Sequence, residues 1–164
     1  SLTDPSKVAE AAARAAANEP EPPARPITAN ERAFAVMVRN AMFQKVQLAA
    51  RDRFDALADA ELAAATLSGP LERPTMDAVA WEEALGAYWE EHESLDAGPD
   101  ARSPELLLID KPGAGEPRVW TVRQVINDPE GNRDWSILAT IDLDVSDDAG
   151  EPVIRTQSFG TGAL

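Results

Sequence analysis

The chain has one histidine, His92, set in Glu90-Glu91-His92-Glu93 with Asp96 and Asp100 just beyond it. Of all its residues, this one most readily suggests a metal or proton-transfer site. The neighbourhood weakens that reading. A zinc centre is normally assembled from three or four ligands with more than one His or Cys, and a helix end turns Glu90 and Glu91 onto different faces. The sequence therefore predicts a solvated helix terminus at His92 and no metal site. Ser-His-Asp catalysis would have to use this same histidine, and no G-x-S-x-G elbow accompanies it. Cysteine is absent, which removes thiol catalysis, zinc-thiolate sites and disulfides. Gly113 and Gly115 lead into no phosphate-binding helix, and no G-x-x-x-x-G-K-[ST] run exists, so nucleotide hydrolysis by this chain is not expected. Asp142 and Asp144 lie two apart on a predicted strand and project from one face. That face is expected to meet solvent, which gives the paired carboxylates no enclosed substrate.

Two other constellations carry possible binding roles. Gln124 falls where a strand over 118–127 should place an apolar residue, on the face of Trp120, Val122 and Ile126. A polar group there needs a partner. Either it satisfies a nearby backbone group, or it orients a ligand in a pocket lined by Trp81, Tyr88, His92, Trp120 and Trp135. Val36 and Phe43 stand seven positions apart among Arg32 and Arg39. Apolar anchors rimmed by arginine suit protein contacts, unless the N-terminal arm or the first helix covers them.

The elements that must position these residues follow from capping and periodicity. An Ala-rich helix is expected at 7–17, with Val8 as its one large apolar side chain, followed by a Pro-rich arm at 19–26. Thr28 and Glu31 have capping-box spacing, and a long helix is expected at 29–57. On it, Phe34, Met37, Val38, Ala41, Met42, Leu48 and Ala49 share a core face, while Val36 and Phe43 on the other side suggest a helix contacted twice. The stretch 58–74 reads as fraying helix and loop. Asp77 is expected to cap a third helix on which Trp81, Leu85, Tyr88 and Trp89 recur at spacings of three and four. Four strands follow, at 105–110, 118–127, 133–145 and 152–159, joined by turns at 111–115, 128–132 and 146–150. Helices on one face of a curved, four-stranded antiparallel sheet make an α+β fold. A cone-like, nuclear-transport-factor-like arrangement suits this order of elements, an analogy of fold that implies no chemistry.

At 164 residues the chain suits one α+β domain over 30–164 preceded by a helix and arm over 1–29. Its net charge of −14 is uneven: basic and acidic residues balance over 1–60, and the acidic excess lies wholly in 61–164. Such a segment repels phosphate backbones, so direct nucleic-acid contact is confined to the first part, where the arginines of the long helix lie. No apolar run reaches the roughly 20 residues of a membrane span, neither secretion nor membrane insertion is indicated, and a cytoplasmic protein is expected. The chain starts at Ser1 rather than Met, as a piece of a longer protein would.

Three stretches, taken in order and spacing, carry a resemblance. They are Pro26-Ile27-Thr28-Ala29-Asn30 running into Phe34 and Val38-Arg39-Asn40-Ala41-Met42-Phe43; Glu91-His92 through Gly98-Pro99-Asp100-Ala101-Arg102; and Trp120-Thr121-Val122-Arg123-Gln124 through Asp128-Pro129 to Asp134-Trp135. Together they resemble the C-terminal domain of unknown function of bacterial DEAD/DEAH-box superfamily II helicases, over essentially the whole chain. The resemblance implies a non-catalytic accessory or regulatory domain whose partner is the helicase core upstream in the same polypeptide. ATP and Mg would bind in that core, this domain would hold no cofactor, and nucleic acid would be reached through the parent. No catalytic residue is carried over. The alternative is a small-ligand or enzymatic pocket of the cone-like type, built on Trp81, Tyr88, His92, Trp120, Gln124 and Trp135.

Overall fold

The computed structural model describes residues 25–162. The helix expected at 7–17 and most of the Pro-rich arm lie outside them. A short 3-10 turn, Ile27–Ala29, leads into α1, Glu31–Ala50. The cap of α1 is Asn30, not Thr28: its side chain accepts the Ala33 N–H at 3.0 Å from extended backbone, the geometry an N-cap requires. Thr28 is engaged elsewhere. Its N–H and its hydroxyl both donate to the carboxylate of Asp147, at 3.0 and 2.9 Å, and its hydroxyl oxygen accepts from Arg118 at 2.9 Å.

The single helix expected at 29–57 is broken. Asp52 takes a left-handed conformation, φ 55°; its N–H donates to Ala49 O at 3.0 Å and the Arg53 N–H to Leu48 O at 2.9 Å. This is the helix stop usually built on glycine, with Asp filling the left-handed position. A new helix, α2, runs from Phe54–Ser68, where fraying is expected from sequence. The turn is dictated by burial: it folds Leu57, Ala64 and Ala65 against the core, whereas an unbroken 29-residue helix would run on for about 44 Å.

Helix α3, Ala78–Glu91, starts at the expected cap, with Asp77 accepting from Ala80 N at 2.9 Å. Strands β1 (Leu107–Asp110), β2 (Val119–Val125), β3 (Ser136–Asp142) and β4 (Ile154–Gly160) then form an open antiparallel meander in sequence order. Between β3 and β4 the structure corrects the sequence reading. Instead of a strand continuing to 145, a helix, α4 (Leu143–Ala149), begins at Asp142. Asp142 Oδ1 accepts from Asp144 N and Val145 N, at 3.0 and 3.1 Å, and Gly150 ends the helix at φ 74°. The expected pair of strand carboxylates therefore does not exist: Asp142 is a helix cap, and Asp144 pairs with Arg118.

Register places Trp120 opposite Ile141, Val122 opposite Ala139 and Gln124 opposite Ile137, with Phe159 beside Ile137. This face carries the helices. Phe34 of α1 stacks on Trp120 at 5.1 Å, and Trp81 and Tyr88 of α3 meet Phe159 at 5.7 and 5.9 Å. Each such large side chain withdrawn from water contributes about 1.5–3 kcal/mol. The expected core face of α1 holds at Phe34, Val38, Met42 and Ala49 but not at Met37, which is exposed; Phe43 and Val46 are buried instead. The fold is α+β.

Candidate functional site

The buried, charged residues at the end of α3 form the site with the most chemical capacity. His92 follows the last residue of α3 with extended backbone, φ −135° and ψ 146°, and its N–H closes the helix on Tyr88 O at 3.0 Å. That change of direction drives the ring inward, to 4 % exposure. The solvated terminus expected from sequence is thus corrected. The partners are also not Asp96 and Asp100 but the residues of the turn joining β2 to β3.

That turn is built around Asp128. Gly131 and Arg133 take left-handed backbone, at φ 74° and 54°, which points successive N–H groups inward. The Asp128 carboxylate accepts two of them, from Asn132 at 3.0 Å and Arg133 at 2.7 Å, and its side chain is fully enclosed. Asp128 Oδ1 lies 4.0 Å from His92 Nδ1, and Glu130 Oε2 lies 2.5 Å from the same nitrogen. Asp134 closes the group: one ligand atom each from His92, Asp128 and Asp134 fall within 4.8 Å of one another. His92 Nε2 is buried with no partner.

Aromatic side chains wall this cluster on the core side. Tyr88 packs on His92 at 5.0 Å and edge-on to Trp135 at 5.3 Å. Trp135 Nε1 donates to Glu91 Oε2, and the Tyr88 hydroxyl to Ser94 O, both at 2.6 Å. A cleft of about 670 Å³ opens beside it, lined by Asp96, Asn127, Asp128 and Glu130.

The electrostatics follow. Burial pushes the His92 pKa down, but the hydrogen bond to Glu130 with the charges of Asp128, Glu130 and Glu91 outweighs it and holds the ring above the ordinary histidine value. Burial pushes Asp128 up, and its two backbone hydrogen bonds and the His92 charge more than reverse this, leaving it below the ordinary carboxylate value. Tyr88 is raised well beyond the ordinary phenol, by burial first and then by the charges of Asp128, Glu130 and Asp134. Tyr88 therefore remains a neutral donor, and the cluster favours a positive charge at its centre.

The other predicted residues fall into two groups. Trp81, Tyr88 and Trp135 gather around Phe159, with His92 at their edge, while Trp120 sits apart on Phe34. All are buried and packed against neighbours. Gln124 Nε2 donates to Leu106 O and Val125 O, each at 3.3 Å, which is the local satisfaction of a backbone group. The space beside it, about 10 Å³, suffices for roughly one water. Of the arginine-rimmed set, Arg32 and Val36 are exposed, Arg39 is half-buried, and Phe43 is buried. The Arg102 guanidinium lies 4.6 Å over the Phe43 ring and donates to Asn40 Oδ1 at 2.7 Å, so the turn around residue 102 covers it.

Sequence reasoning misses the partners of His92 because they arrive from far along the chain, Glu130 from 38 positions away, by sheet packing; an Asp opening a Pro-Glu-Gly-Asn turn signals only the turn. It also misses Lys45 and Glu61, paired inside the helical layer. Their one sequence signal is a charge lying on the apolar stripe of each helix.

No curated protein and no solved structure gives a significant match to the chain. A family model described as "Domain of unknown function (DUF3516)" matches residues 1–159. With nearly its whole length matched, the chain belongs to that family.

Proposed function

We propose that the domain is a non-catalytic accessory module of a cytoplasmic, ATP-dependent DEAD/DEAH-box helicase, and that it works by contact with the helicase core of the same polypeptide. ATP and Mg belong to that core, and nucleic acid is reached through it. The resemblance of three ordered sequence stretches suggests the parent. One observation favours contact over catalysis: the aromatic residues a ligand pocket would need are packed into the core, while Val36 stands 51 % exposed on α1, one turn from Arg32. Apolar side chains rimmed by arginine are the composition of a protein interface. The net charge of −14 disfavours a direct nucleic-acid role.

The docking face is accordingly Arg32 and Val36, with Arg39 at its rim; Phe43 serves the fold. The test is binding in trans between the 164-residue chain and the helicase core, by calorimetry, together with the ATPase rate of the parent. Val36→Asp with Arg32→Glu should weaken association about tenfold or more, since central anchors dominate interface energies. Unchanged association and unchanged ATPase would overturn the reading.

A further inference from the structure

We infer that His92, Asp128 and Asp134, with Glu130 at hand, form a binding site for a divalent cation of the zinc class. The three residues bring a ring nitrogen and two carboxylates within 4.8 Å of one another. Two ligands on a tetrahedral ion with bonds of about 2.0–2.1 Å are about 3.4 Å apart, and His92 Nδ1 and Asp128 Oδ1 are separated by 4.0 Å. Glu130 Oε2 now occupies that nitrogen at 2.5 Å, so on metal binding it either swings aside or becomes a ligand itself. The protein supplies what such a site needs around its ligands. Asp128 is fixed by the Asn132 and Arg133 N–H groups, each using one lone pair of an oxygen that has two, and such outer hydrogen bonds orient metal-bound carboxylates.

Charge gives the second, independent reason. Asp128, Asp134, Glu130 and Glu91 converge on one imidazole, and among the described residues no Lys or Arg forms an ion pair with any of the four. Asp128 is wholly enclosed, with His92 as its one ion-pair partner among the described residues; a dication bound by the deprotonated ring would take over that role. The imidazole itself is 4 % exposed and its Nε2 lacks any partner, so the ring is not held by a completed hydrogen-bond network. One imidazole is fewer nitrogen or sulfur ligands than a zinc centre normally has, yet the ring nitrogen favours Zn²⁺ over Mg²⁺ or Ca²⁺, which take oxygen ligands throughout. Entry is open through the cleft lined by Asp128 and Glu130, and Asp134 and Glu130 are solvent-accessible.

The experiment is calorimetric titration of ZnCl₂ into the chelator-treated 164-residue chain at neutral pH, with thermal unfolding followed in parallel. One Zn²⁺ per chain and a higher Tm are expected, with a much smaller response to Mg²⁺. Asp134→Asn removes an exposed ligand, so it should leave the metal-free Tm unchanged while weakening Zn²⁺ about tenfold or more. Co²⁺ in place of Zn²⁺ should give a visible absorption band that this variant loses. No heat and no Tm change with Zn²⁺ up to about 1 mM, a range in which even weak sites fill, would overturn the inference. So would Zn²⁺ binding that Asp134→Asn and Asp128→Asn both leave intact, or a response to Mg²⁺ as large as that to Zn²⁺.

Discussion

Lys45 and Glu61 meet 3.0 Å apart inside the helical layer, 7 % and 2 % exposed, and Glu61 also accepts the N–H and hydroxyl of Thr156. One carboxylate thereby links α1, α2 and β4. A buried pair of this kind contributes little over an apolar replacement, but removing one member strands the other. Glu61→Leu alone should cost about 3–5 kcal/mol in urea unfolding, and Lys45→Met with Glu61→Leu should recover only the part owed to the stranded ammonium, since the Thr156 donors stay unpaired. If the single change costs under about 1 kcal/mol, the pair is not the linkage described.

His92 makes stability depend on pH. Its folded pKa is raised above 6.5, so its contribution is fully present below pH 6.5 and is lost as pH rises through the folded value. Asp128 runs the other way: lowered below 3.8, it stabilises above pH 3.8 and fails as pH falls through its folded value. Chelator-treated protein should thus lose unfolding free energy as pH rises above 6.5, and Glu130→Gln should flatten that slope. A steeper rise of stability over the same interval would contradict the arrangement.

Asp52 holds a left-handed helix stop, φ 55°, and accepts from Trp89 Nε1 at 3.0 Å. Asn tolerates that backbone and keeps an acceptor, so Asp52→Asn should be nearly neutral. Val loses both advantages, and Asp52→Val should cost about 1–2 kcal/mol, read as a lower urea midpoint.

Phe43 and Val36 should separate folding from docking. Phe43→Ala opens a buried site beneath Arg102 and should cost about 3 kcal/mol or more. Val36→Asp, on an exposed position, should stay within about 0.5 kcal/mol. Equal effects on urea unfolding would mean that Val36 is not free for a partner.

The helices at 31–50 and 78–91 and the four-strand meander are legible in the sequence: Asp77, Trp81, Leu85 and Tyr88 keep a helical period, while Trp120, Val122, Ile137 and Ala139 keep a strand period. Two boundaries are not. The stop at Asp52 uses no glycine, and at 141–145 strand alternation and a helix start bury the same residues, so only the Asp142 cap and the Ser146 hydroxyl, bonded to Asp142 O at 2.8 Å, decide between them. The site is half legible. His92 attracts notice by its rarity, but Asp128, Glu130 and Asp134 become its partners only when the β2–β3 turn is laid against the end of α3.

The entry to the domain carries a mechanical consequence. Thr28, just before α1, is tied to Asp147 of α4 and to Arg118 at the start of β2, and Arg118 lies 3.6 Å from Asp147. A pull on the preceding residues is therefore delivered across the sheet end rather than along the first turn of α1. Several hydrogen bonds and an ion pair share that load, so the first turn of α1 does not carry it alone.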